Sequence, residues 1–186
     1  MVQTAAHLVD NVIPRVPIRQ WVLTLPPPLR YLLAYNRELV GEVLGVFLDS
    51  VFEWLRTKVR EELGPEAITA ELRPGAVTAI LRAGSALNLN VHFHSLVTDG
   101  VFVQASPDAP PVFHALPAPT DLDIRDVAQA TCERTVELLR QRGLWFDADP
   151  DEDVFAQDEP GLSALSKASI AGTIALGERA GSRVRS

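Results

Sequence analysis

The stretch Asn88-Leu89-Asn90-Val91-His92-Phe93-His94 alternates polar and apolar residues without a break. Alternation at period two predicts a strand with one buried face, because successive side chains on a strand point to opposite sides. Asn88, Asn90, His92 and His94 then share one face, and Leu89, Val91 and Phe93 the other. Two imidazoles two positions apart on one face can converge on a divalent cation, with the neighbouring amides as hydrogen-bond partners. Open coordination positions on such an ion polarise a phosphate oxygen or a water. The alternative is a pair of ordinary surface or core histidines, and the spacing by itself leaves both readings open.

The strand sits among others. Upstream, Ala76 to Arg82 reads as a strand, and the histidine strand itself runs from Leu87 to about Thr98. Asp99-Gly100 is a two-residue hairpin signal, since both turn residues tolerate positive φ, and it predicts a return strand at Val101 to Gln104. Val112 to Ala115, carrying His114, forms a further short strand after the proline-rich turn Pro107 to Pro111. Near the N-terminus, Thr4 to Ile13 reads as a short helix ended by Pro14 and Pro17. Arg19 to Leu25 reads as a first strand closed by Pro26-Pro27-Pro28.

The helices bracket these strands. Leu29 to Tyr35 makes a helical turn or two. From Arg37 to Leu63, Val40, Leu44, Phe47, Val51, Leu55 and Val59 recur at three- and four-residue spacing, which predicts one long amphipathic helix stopped by Gly64-Pro65. Thr120 with Asp123 reads as a capping box opening a helix from Asp121 to Arg142, terminated by Gly143. The order β-α-β-β-β-β-α predicts an α+β fold, an antiparallel sheet of about four to five strands with helices packed mainly on one face. Residues 1–145 form a single core, and 146–186 an acidic loop and basic tail.

The chain has 186 residues, 47% of them hydrophobic and 22% charged, a composition suited to one globular domain. Its one cysteine, Cys132, excludes an internal disulfide and points to a reducing compartment. No apolar run approaches the roughly 20 residues needed to span a bilayer, and residues 1–10 lack a signal-peptide layout. The expectation is a cytoplasmic protein with no membrane partner. The net charge of −7 argues against nucleic acid, but residues 147–159 hold seven acids and no Lys or Arg. The rest of the chain is neutral, and the tail after Pro160 turns basic at Lys167, Arg179, Arg183 and Arg185. Asp147 to Asp153 places acids at alternate positions, yet Glu152 and Pro150 break the pattern of a calcium loop.

The segments Arg19-Gln20-Trp21-Val22-Leu23-Thr24-Leu25-Pro26, Pro28-Leu29-Arg30-Tyr31-Leu32-Leu33 and Gly84-Ser85-Ala86-Leu87-Asn88-Leu89-Asn90-Val91-His92-Phe93-His94, followed by Asp99-Gly100-Val101, resemble bacterial insertion-sequence transposases. These are the rolling-circle, two-tyrosine class with a His-hydrophobic-His (HUH) endonuclease core. The resemblance runs from about Ala5 to Arg185. It implies an HUH-like antiparallel sheet on which His92 and His94 hold Mg2+ or Mn2+ against the scissile phosphate of single-stranded DNA. A tyrosine then attacks, giving a 5′-phosphotyrosine link and a free 3′-hydroxyl, and the stored bond allows rejoining elsewhere. Asp99, His114 and Gln20 are the candidates for a third metal ligand, and the sequence does not select among them. Asn88 and Asn90 lie on the metal face as candidate DNA contacts.

The chain departs from the family in two respects. The cysteine-rich zinc module that precedes this region in the family has no counterpart here, and no tyrosine follows Tyr35. The expectation is therefore a truncated middle piece, inactive alone, that lacks the catalytic pair. Tyr31 and Tyr35, spaced i, i+4, share a helix face as paired nucleophiles would, and equally as an ordinary packing turn would. Arg30, Arg37, Arg56, Lys58 and Arg60 are candidate phosphate contacts or simply a solvated helix face. Trp21, Trp54 and Trp145 are candidate stacking platforms or core. The competing functions are a non-catalytic DNA-binding remnant and a small-substrate metallohydrolase in which water replaces tyrosine.

Overall fold

A computed structural model describes residues 6–64, 70–83 and 89–144. Asn88, Trp145, the acidic segment 147–159, the basic tail and a helix expected at 162–171 lie outside the described residues. Alpha helices and two three-stranded antiparallel sheets make an α+β fold. In the order of the chain these are β1 (Ile18–Thr24), α1 (Pro27–Tyr35), α2 (Arg37–Leu63), β2 (Glu71–Arg73), β3 (Ala76–Ala83), β4 (Leu89–Thr98), β5 (Gly100–Gln104), β6 (Val112–Ala115) and α3 (Asp121–Gln141). A π-helical turn at Leu8–Val12 precedes them, closed by Ile13 N–H donating to Leu8 O at 2.8 Å. Residues 6–7 before it are α-helical, so helix covers the described part of the segment expected to be helical, up to Val12.

The single sheet of four to five strands is corrected. One sheet has the order β1-β4-β3, the other β2-β5-β6. Asp99-Gly100 is not a hairpin turn: β4 and β5 belong to different sheets, and the dipeptide carries the chain from one to the other. Glycine is needed there for another reason. Gly100 has φ +154°, and a Cβ would stand 2.2 Å from the backbone oxygen of His114 and 2.9 Å from the Cα of Ala115. The close approach is the pairing of β5 with β6, in register Gly100↔Ala115, Val101↔His114 and Phe102↔Phe113. On its other side β5 pairs with β2, Leu72 facing Val103. β2 has no counterpart among the expected strands, because three residues are too few to display a period.

Helix signals read from the sequence hold closely. Asn36 caps α2, its Oδ1 accepting from the Leu39 amide at 3.0 Å. Val40, Phe47, Val51, Leu55 and Val59 are buried, but Leu44 is only half-buried while Leu39 and Val43 complete the stripe. The capping box of α3 forms in both directions: Asp123 N–H donates to Thr120 Oγ1 (3.2 Å) and Thr120 N–H to Asp123 Oδ2 (2.9 Å). At the other end Leu144 N–H reaches Leu139 O and Gly143 N–H reaches Arg140 O, with Gly143 at φ +66°. This is the Schellman arrangement that suits glycine.

The chain divides into two compact units, taken over their described residues: Met1–Val22, Gly45–Ala79 and His94–Arg134 in one, Leu23–Leu44, Ile80–Phe93 and Thr135–Ser186 in the other. The core of the first is drawn from Phe47, Val51, Leu55, Val59, Leu72, Val97, Val101, Leu116 and Val127, and that of the second from Leu25, Leu33, Leu39, Val40, Val43, Val91, Phe93 and Leu139. Among the described residues no helix is long and apolar enough to cross a membrane.

Candidate functional site

β4 is the central strand of its sheet, and its side chains alternate as the sequence requires. Val91, Phe93, Ser95 and Val97 are fully buried, whereas Asn90, His92 and His94 are half-buried and Leu96 is exposed. Ser95 is the one polar residue of the inward row, and its hydroxyl is satisfied by Thr78 Oγ1 at 2.7 Å. His92 and His94 thus both belong to the half-buried row of β4, as does Asn90.

Each histidine has a defined local partner. In the second unit, His92 Nδ1 lies 2.6 Å from the backbone oxygen of Asn90. A carbonyl only accepts, so Nδ1 donates in this bond. In the first unit, His94 Nδ1 lies 2.7 Å from Gln20 Nε2 on β1. Gln20 occupies the outward row of β1, whose residues alternate exposed and half-buried from Ile18 to Thr24.

Of the three candidates for a third ligand, the structure brings Gln20 to a histidine of β4. Asp99 is instead held by Arg19, which donates from Nε (3.0 Å) and from a terminal nitrogen (2.7 Å). This two-pronged pair raises the Arg19 pKa. His114 sits on β6, in the other sheet, with Nε2 2.7 Å from Glu62 Oε2 at the end of α2. Asn90 contributes something the sequence did not signal: its Oδ1 is buried and has no hydrogen-bond partner among the described residues. Among the described residues, no three His, Cys, Asp or Glu side chains gather as a metal-binding group. The available donors are imidazole nitrogen and neutral amide oxygen.

Tyr31 is half-buried on α1, and burial, then the nearby Tyr35, raises its phenol pKa. Tyr35 is 74% exposed at the end of that helix. Three of the candidate phosphate contacts are engaged within the protein: Arg30 with Leu25 O, Arg56 with Leu72 O at 3.1 Å, and Lys58 with Asp123 at 2.9 Å. Trp54 donates its indole N–H to Asp123 Oδ1 at 3.0 Å, and its ring lies 5.7 Å from that of Trp21 in a tilted pair. Both tryptophans thus serve packing.

No family model, no curated protein and no solved structure matches this chain.

Proposed function

We propose that the chain is a single-stranded DNA binding core of the HUH transposase type that takes a divalent cation, Mg2+ or Mn2+, at the histidines of β4. The observation that carries this reading is the alternation of β4, in which the half-buried Asn90, His92 and His94 alternate with the fully buried Val91, Phe93 and Ser95. By the sequence resemblance, His92 and His94 would hold the ion. When bound, the ion acts as a Lewis acid on a phosphate oxygen of the DNA strand. The sequence resemblance supplies the substrate class.

Nicking and rejoining through a phosphotyrosine intermediate needs a phenol that ionises readily. Tyr31 is poorly suited, because burial and a second phenol both oppose its ionisation. The sequence holds only one other tyrosine, Tyr35. The reading is therefore DNA binding, with transposition lying beyond this chain acting alone.

Calorimetric titration with Mn2+ tests the cation, and fluorescence anisotropy of a labelled single-stranded oligonucleotide, with Mn2+ or with chelator, tests the partner. The expected results are Mn2+ uptake that His92→Ala abolishes, oligonucleotide binding that chelator weakens at least about tenfold, and no covalent adduct on a denaturing gel. Absence of Mn2+ uptake by the unaltered protein overturns the reading. A Tyr35-dependent adduct would restore the catalytic version.

A further inference from the structure

We propose that the first unit pairs with a second copy of this chain through the outward face of its sheet, where Ile18, Val22, Val77, Ala79 and Leu96 make an apolar, uncharged surface. The pairing needs neither a cation nor DNA.

An antiparallel sheet with one face on a core ordinarily turns polar residues to water on the other. Within the first unit the sheet β1-β4-β3 departs from that rule. β1 contributes Ile18, 43% exposed, and Val22, 51% exposed, and β4 contributes Leu96, 36% exposed. The hydroxyl contact of Thr78 with the buried Ser95 fixes the inward row of β3. Val77 and Ala79 therefore belong to the outward row, beside Leu96. Ile18, Val77 and Leu96 also line one cleft of about 330 Å³, together with Val12, Pro14 and Phe102. Side chains from all three strands thus form a continuous apolar surface, of the kind that marks an interaction site.

Charge selects the occupant. The outward row holds no Lys, Arg, Asp or Glu, although 22% of the chain is charged. Arg73 is the one charged residue among those lining the cleft, and Glu71 already pairs with it. Gln20 and His94, the polar members of the row, lie 2.7 Å apart, so each keeps a partner when water leaves. A charged peptide or an anionic lipid surface would find no counter-charge on this row. A second copy brings the same uncharged face to it by two-fold symmetry, and depletion of charge is the compositional mark of an interface core. Two chains of −7 repel each other over the rest of their surface. An uncharged face is where they meet at least cost.

Sedimentation equilibrium of the full chain, with chelator present, reads the association directly. The weight-average mass is expected to rise from that of one chain toward twice that between about 1 and 100 µM. The dimer is expected to tighten as added salt screens the repulsion between copies. Leu96→Glu and Ile18→Glu set like charges together across the face, and each is expected to weaken the dimer at least about tenfold. Ile18→Gln removes the aliphatic contact without adding charge; it is expected to weaken the dimer about threefold or more, and it serves if a charged variant does not fold. Leu122→Glu, 62% exposed on α3, adds the same charge away from the face and is expected to leave the dimer intact. A chain that stays monomeric over this range, or a dimer that Leu122→Glu weakens as much as Leu96→Glu does, overturns the proposal. So does binding of the monomer to phosphatidylcholine vesicles that Leu96→Glu abolishes, because the face then belongs to a lipid surface.

Discussion

Asp123 gathers more donors than any other carboxylate described here. It accepts from the hydroxyl and amide of Thr120, from the Trp54 indole and from Lys58. Those bonds, the Thr120 hydroxyl foremost and Trp54 next, hold its pKa far below the usual carboxylate range and raise that of Lys58. A carboxylate depressed in the folded state adds stability above its unfolded value, about 4, and that stability is lost as pH falls through the folded value. Urea unfolding of the unaltered protein is therefore expected to weaken from about pH 4 downward, and the slope with pH to flatten in Asp123→Asn. Asp123→Ala loses the cap and leaves the Trp54 N–H without its partner, so it is expected to cost about 2 kcal/mol. The local half of this cluster was legible: Thr120 and Asp123 stand three apart at a helix start. The distant half was not, because Trp54 lies sixty-nine residues away and nothing local marks it.

At the scale of elements, what was legible is what depends on period and punctuation. The bounds of α2 followed from its apolar spacing and from Gly64, and the two faces of β4 from strict alternation. What failed was pairing. Asp99-Gly100 carries the same local chemistry whether it turns a hairpin or crosses between sheets, and only the position of β6 decides. The crossing makes Gly100 a sharp test. Gly100→Ala drives a methyl into the His114 carbonyl, and is expected to cost more than about 2 kcal/mol. Loss of amide-exchange protection should concentrate in β5 and β6, whereas a hairpin would place it in β4 and β5. The alternation of β4 gives a second test. Phe93 has no exposed surface, and Phe93→Ala is expected to cost about 3–5 kcal/mol. Leu96→Ala, on the outward row and 36% exposed, should cost clearly less, about 1 kcal/mol, both read from urea midpoints.

Across the whole molecule, charge bears on the partner. The chain carries −7 overall, and among the described residues Arg19, Lys58, Arg73, Arg134 and Arg142 are all in ion pairs with Asp or Glu. With 17 Lys and Arg against 24 Asp and Glu, the net negative charge opposes an extensive grip on a phosphate backbone. Each phosphate neutralised on a single strand contributes about −0.7 to the slope of log affinity against log salt. Two or three contacts therefore give a slope of about −1.5 to −2. Oligonucleotide binding measured by anisotropy between low and moderate salt is expected to fall on that shallow line and to depend strongly on Mn2+, since a bound cation then supplies much of the attraction. A slope as steep as about −5, unchanged by chelator, would mean that a basic surface grips the strand and that the histidines of β4 contribute nothing. The two outcomes separate because an ion held on β4 is removed by chelator, while arginine and lysine are not.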